Sequence, residues 1–409
     1  MSKRAVTRSW KLIALSAMYF MALFWATSTP APAAGSPPLR LGIILPLSGH
    51  SADIGKSALV GAQVAVDEIN SVGGYLGRQV ELVVHDDESD PDKGVKAAHE
   101  LVEKSQAMAT IGVCNAAVGL PVVDYFQSVK HPMIVSCSTA STLTSKYPPA
   151  QSYIFRTSAS SKVQAQFLVE ELVRAKLSKP ALLLDATAYG DAGLADLQAA
   201  MSKFGIRPKV VLRFAVGAKS LEKEVRELKG SGADVLIGWT VGHEQGLIAA
   251  ARSAVGWSVP QYGAWDLSDS FAYTSSAGKV EGTYMVQTVL PNRNLERNSA
   301  FLSAYLKRSN ERPVGSMMSA AQTYDAVQIM MRALFVAKGD TSGPALKNAL
   351  EQPRGAYRGV VTTYVKSFSA TDHEAISGNM LWLGTWRNGD RAYAYDEDEK
   401  RASVIRRKK

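Results

Sequence analysis

The stretch Pro132–Thr144, PMIVSCSTASTLT, decides how the rest of the chain is read. It opens as an apolar run of strand composition, Met133-Ile134-Val135, and turns at once into small hydroxyl residues. Ser136, Ser138, Thr139, Ser141 and Thr142 fall within seven positions. A strand whose carboxyl end opens into backbone N–H and hydroxyl donors is the edge at which open α/β sheets hold ligands. With no Lys, Arg or glycine-rich run inside it, the stretch suits a small carboxylate better than a polyphosphate. Taken alone, the same residues would serve as a polar turn with a helix cap, so their surroundings decide.

The chain has 409 residues, 46% of them hydrophobic and 20% charged, which fits a globular protein of two domains. Its first 34 residues stand apart. Lys3, Arg4, Arg8 and Lys11 precede an apolar run from Leu12 to Ala26, and small residues with proline close the segment at Ala33-Ala34. That is the pattern of a cleaved export signal, too short in its apolar part to span a membrane. Its loss takes four of the nine net positive charges with it. The terminal Arg406-Arg407-Lys408-Lys409 follows an acidic run, Asp396 to Glu399, and reads as a solvated tail rather than a nucleic-acid patch. No nucleic-acid partner is implied.

From Leu39 onward, strand and helix patterns alternate. Leu39–Leu45 reads as a buried strand and Lys56–Val72 as a helix with Leu59, Ala62, Val66 and Ile69 on one face. Gln79–Asp86, Ala109–Val113 and Pro132–Ser136 follow as strands, separated by helices after Asp90-Pro91-Asp92 and over Pro121–Val129. The rhythm restarts with a helix over Val163–Leu177. Strands then fall at Ala181–Leu184, Lys209–Ala215, Asp234–Trp239 and Gln261–Ala264, with helices over Asp191–Phe204, Leu221–Lys229 and Glu244–Val255. Val280–Leu290 and Gly359–Val365 read as strands running between the halves. Between these two lie the amphipathic helices Arg297–Ser309 and Ser319–Ala337, and a hairpin signal surrounds Asn388-Gly389. Alternation of this kind means βαβ units and parallel sheets, here in two lobes whose cleft is a preferred ligand site.

Several motifs carry no chemistry. Gly55-Lys56-Ser57 lacks the glycine that a P-loop places five residues earlier, where His50 stands. The six histidines show no metal-ligand spacing. No G-x-S-x-G elbow occurs, so hydrolysis has no support and no enzyme is expected. The carboxylates Asp86, Asp87, Glu88, Asp90 and Asp92 read as a solvated loop with a helix cap. No metal and no cofactor are implied.

What remains is a set of strand-end loops. Ser48-Gly49 with Ile54 follows the first strand, Cys114-Asn115-Ala116-Ala117 the third, and Ser136–Thr144 the fourth. In the second array Ala188-Tyr189-Gly190, Trp239-Thr240 and Trp265-Asp266 hold equivalent places. Such a site offers donors to a carboxylate on one wall and apolar or aromatic surface on the other. Cys114 and Cys137 end consecutive strands in an exported chain, so a disulfide and a pair of buried thiols both fit.

The motifs LRLGIILPLSG from Leu39, GAQVAVDEINSVGGYLGRQVEL from Gly61, DATAYGDAG from Asp185, VEGTY from Val280 and TYDAVQ from Thr323, with PMIVSCSTASTLT, span nearly the whole exported part. The chain resembles the periplasmic substrate-binding proteins of ABC transporters, in the type I group that binds branched-chain amino acids. The resemblance implies an α/β fold of two Rossmann-like lobes with parallel sheets, joined by a multi-strand hinge. It places the ligand carboxylate at Ser138 and Thr139, a further contact near Asn115 and Ala116, and a closing aromatic at Tyr189. Ala116 stands where a serine is usual. The acidic residue that pairs an amino group falls at or beside Trp265, so Asp266 is the substitute. Relatives with such tryptophans include binders of aromatic acids.

The expectation is thus a periplasmic, hinge-closing binder of a small carboxylate, a branched-chain or aromatic amino acid, that serves ABC permease subunits as a monomer. A binder of an aromatic acid lacking an amine and a ligand sensor of the same fold are the competing readings. The expected segments are a signal peptide over 1–34, a first lobe over 39–157 with 289–358, a second over 158–288 with 366–397, and a flexible basic tail over 398–409. Because neighbours on an extended strand face opposite ways, one of Trp265 and Asp266 should meet the ligand. Asp266 would select an amino acid; Trp265 would select an aromatic acid without an amine.

Overall fold

The computed structural model describes residues 37–292, 294–310 and 314–408. The leader read over residues 1–34 lies outside the described residues. The first sheet is wholly parallel. It sets β1 (Leu39–Leu45) beside β2 (Val80–Asp86) and β3 (Thr110–Gly112), then adds β4 (Met133–Val135) and β5 (Ile154–Arg156), in the order β2-β1-β3-β4-β5. Crossovers are made by α1 (Ala52–Ser71), α2 (Pro91–His99) and α3 (Ala116–Ser128). The Asp90 side chain caps α2 by accepting the Asp92 and Lys93 N–H groups.

The second lobe runs α4 (Ser161–Arg174), β6 (Pro180–Asp185), α5 (Ala188–Ser202), β7 (Val210–Phe214), α6 (Glu222–Lys229), β8 (Val235–Trp239), α7 (Gly242–Ala254), β9 (Gln261–Gly263), α8 (Ser270–Ser275) and β10 (Tyr284–Gln287). The chain then returns to the first lobe, where α9 (Glu296–Ser309) and α10 (Met317–Val336) pack on α1 and α11 (Gly343–Glu351) packs on α10. Contact between α1 and α10 is close: a Cβ on Gly61 would lie 2.1 Å from the Ala320 carbonyl oxygen. A small hairpin, β11 (Tyr357–Arg358) and β12 (Thr363–Tyr364), precedes the last crossing. β13 (Trp382–Arg387) and β14 (Asp390–Tyr393) complete the second sheet, ordered β14-β13-β10-β9-β8-β6-β7, with β13 antiparallel to both neighbours. The lobes are therefore connected by three passages of the chain.

The structure departs from the sequence reading in particular places. β5 has no strand signal of its own, because three residues ending in Arg156 are too few for a period. Gly359–Val365 is no strand between the halves. Its residues close the β11–β12 hairpin around Asp325, whose carboxylate accepts from Val360 N–H, Val361 N–H and the Tyr357 and Tyr364 hydroxyls. Helix α3 begins at Ala116 and carries Pro121 inside it. The C-terminal residues are not a free tail: α12 (Asp396–Arg401) continues into a segment held along the last crossing. There Arg406 stacks 3.3 Å over Trp382 and donates to the Met380 and Leu381 carbonyls, while Lys408 pairs with Asp372. The hairpin turn, by contrast, is as its sequence demands. Asn388 and Gly389 both take positive φ, 54° and 77°, as a type I′ turn requires.

Candidate ligand site

The carboxyl ends of β3 and β4 face those of β6, β8 and β9, and the loops between them make the candidate site. Asp86 sets the first wall by accepting from Leu47 N–H, Ser48 N–H and Ser48 Oγ, which fixes the turn after β1. Asn115, at the head of α3, donates through Nδ2 to Ser51 Oγ (2.8 Å) and reaches His50 Nε2 (3.2 Å), while its Oδ1 is buried without a partner. Ala116 is buried beside it. Ile54, in the first turn of α1, is buried and its carbonyl accepts from Ser319 Oγ.

Ser138 and Thr139 are both buried. Ser138 donates its N–H to the Val113 carbonyl, and the Thr139 carbonyl accepts from Ser161 N–H at 2.6 Å. The Thr139 hydroxyl approaches the Tyr189 phenol without a well-formed hydrogen bond. Arg156, missed in the sequence, underpins this loop. Fully buried, it donates to the Ala140 carbonyl and to Thr144 Oγ1, and it pairs with Glu374 at 3.1 Å. An arginine ending a short strand was its only signal, and nothing in the sequence joins it to Glu374.

Tyr189 stands in the first turn of α5, which Thr187 caps. Its ring packs on the first-lobe cluster that includes Ala116, Ala140 and Leu143, so the residue bridges the cleft. The phenol donates to Asp266 Oδ2 at 2.6 Å. Nearby, Ser141 and Ser161 both donate to Asp196 of α5, at 2.8 and 2.6 Å, and the Ser141 bond is another contact across the lobes that the sequence does not signal. Two open cavities, of about 270 and 500 Å³, lie elsewhere, against α10 and α11 and beside the C-terminal residues.

Trp265 and Asp266 are not on an extended strand. β9 stops at Gly263 and Trp265–Ser268 form one 3₁₀ turn, so both side chains are buried. Trp265 is buried and its backbone is tied into the second lobe: the backbone N–H donates to Gln164 Oε1, and the carbonyl accepts from Gln287 Nε2 and Ser268 Oγ. Asp266 joins Tyr189 and Thr139. Burial, and then the neighbouring Asp269 carboxylate, push the Asp266 carboxyl well above the usual range. Burial and the charge of Asp266 likewise raise the Tyr189 phenol. Thr240, after β8, is buried with Oγ1 unpartnered, as is Nε1 of Trp239, whose ring lies 6.2 Å from that of Tyr189. Among the described residues, no His, Cys, Asp and Glu cluster has the makings of a metal site, and no helix is long and apolar enough to cross a membrane.

A match to the periplasmic binding protein family runs over residues 38–391. The chain belongs to that family. This periplasmic binding protein is 28% identical over 353 residues to a Leu/Ile/Val-binding protein homolog of Brucella melitensis, covering 86% of this chain and 92% of the relative. It is 25% identical over 300 residues to a leucine-, isoleucine-, valine-, threonine- and alanine-binding protein of Pseudomonas aeruginosa, with 72% and 78% covered. Among solved structures, a branched-chain amino acid transporter substrate-binding protein from Streptococcus pneumoniae, in complex with isoleucine, superposes with a TM-score of 0.75 at 22% identity, covering 87% and 97%. An R. palustris solute-binding protein in complex with benzoate gives 0.76 at 19%, covering 87% and 95%. At these identities both agreements are of fold: two lobes of mostly parallel α/β structure.

Proposed function

We propose that this periplasmic binding protein is the exported solute-binding subunit of an ABC transporter. It captures a branched-chain or aromatic amino acid between its lobes and hands it to a membrane permease. The observation that carries the reading is the Thr139–Tyr189–Asp266 constellation: a carboxyl of the second lobe, a tyrosine bridging the cleft and the Ser/Thr loop of the first. In this reading Ser138 and Thr139 take the ligand carboxylate, Asp266 takes its ammonium, and Asn115, Ala116, Ile54 and Thr240 line the walls. A buried polar group without a partner costs about 1–3 kcal/mol, so a ligand that satisfies Thr139 and Thr240 together favours the closed state. The relatives named for leucine, isoleucine and valine support the ligand class. Binding alone fulfils this role, and no side chain is asked to perform chemistry.

The test is a thermal-shift screen followed by calorimetry with leucine, isoleucine, valine, phenylalanine and benzoate. An amino acid should raise the melting temperature, and Asp266→Asn should abolish most of that binding. Stabilisation by benzoate with none by any amino acid would refute the ammonium pairing.

A further inference from the structure

We propose that the Cys114–Cys137 disulfide is a positioning device for the cleft. It holds the two first-lobe loops that carry Asn115 and Ser138–Thr139 in one relative placement, so that breaking it weakens ligand capture beyond any loss of stability. The inference rests on the carboxylate-binding reading of those loops.

The bond joins residues whose Cα atoms are 4.6 Å apart and 23 positions apart in sequence. Each cysteine immediately precedes a candidate contact, Asn115 in one case and Ser138 in the other. The β3–β4 ladder has ended by this point, at Gly112 and Val135. Beyond it the loops are tied by two backbone hydrogen bonds, Ser136 N–H to the Gly112 carbonyl (3.2 Å) and Ser138 N–H to the Val113 carbonyl (2.8 Å).

The backbone beside the bridge is strained. Val113 sits at φ 50°, a left-handed conformation that a β-branched residue rarely adopts. It is held there by its own N–H donated to the Ile44 carbonyl and by its carbonyl accepting from Ser138. Such conformations persist only where the surroundings over-determine them, and they cluster at ligand sites. The disulfide, one residue on, is the covalent part of that constraint. Freed of it, Val113 can relax. Asn115 then shifts relative to Thr139, and the two halves of the first wall no longer present one geometry. A bridge that only restricts the unfolded chain would leave affinity unchanged well below the melting temperature, which separates the two roles.

The experiment compares oxidised protein, protein reduced with a phosphine, reoxidised protein and the Cys114→Ala/Cys137→Ala double variant, all well below their melting temperatures. Leucine, phenylalanine and benzoate are titrated calorimetrically, and amide exchange is followed in the ligand-free protein. Reduction should lower affinity for the bound probe at least tenfold and speed exchange at residues 113–116 and 138–141, with α10 protection unchanged. Reoxidation should restore both, and the double variant should behave as the reduced protein whether or not reductant is added. A lower melting temperature with unchanged affinity and unchanged loop exchange would overturn the proposal. If oxidised protein binds none of the probes, the ligand reading fails, and the exchange measurement still decides whether the bridge orders these loops.

Discussion

If Asp266 receives an ammonium, binding must be coupled to a proton. Burial and the Asp269 carboxylate raise the Asp266 carboxyl well above the ordinary range, and it accepts from the Tyr189 phenol at 2.6 Å. An arriving ammonium favours the carboxylate, so binding releases a proton. Affinity for an amino acid should therefore climb with pH until the raised pKa is passed, by as much as about tenfold per unit. The ligand-free fold responds with the opposite sign. Asp266 contributes stability below the usual carboxylate pKa, and that contribution is lost as pH rises through the raised value. Asp269, raised to about 7 by burial, is itself one cause of the raised Asp266 carboxyl, so Asp269→Asn should lower the pH at which affinity stops climbing. Removing the anion with Asp266→Asn should cost about 1.5–3 kcal/mol, the value of a hydrogen bond to a charged group, or roughly 10- to 150-fold in affinity. It should also flatten the pH dependence. The assay is calorimetry in two buffers of different ionisation enthalpy, over about two pH units on the acid side of neutrality. Affinity independent of pH, no proton released and an Asp266→Asn protein that binds like wild type would together refute the ammonium pair.

Thr139→Val should weaken ligand binding about tenfold or more while far-UV circular dichroism and the melting temperature stay near wild type. Asp325→Ala strands two backbone N–H groups, that of Val360 buried, and two tyrosine hydroxyls, and should cost more than about 3 kcal/mol in chemical unfolding. Burial lowers His131 to about 4, so its contribution is intact above its ordinary pKa and is lost as pH falls toward 4. The difference in stability between wild type and His131→Gln should change by about 3 kcal/mol over that range.

Much of the architecture was legible because alternating strand and helix periods are local, and a parallel sheet follows from them without any knowledge of contacts. The loop after β4 was legible for the same reason: apolar residues giving way to hydroxyls mark a strand end. β5 was not, since three residues carry no period, and β11–β12 was misread because its apolar run packs around a buried aspartate rather than into a sheet. The side chains that hold the loop, Arg156 with Glu374, lie more than two hundred positions apart, and no spacing rule reaches that far.

Sequence by itself determined the two-lobed α/β class, the strand-end loops that could bind a carboxylate, and the turn at Asn388-Gly389, where backbone geometry leaves few residues to choose from. Only the tertiary structure shows where Trp265 and Asp266 lie. A single 3₁₀ turn buries both, and the Asp266 carboxylate accepts from the Tyr189 hydroxyl. That placement rests on which neighbours arrive from other parts of the chain. Burial and charge coupling are properties of the assembled site, and no residue carries them alone.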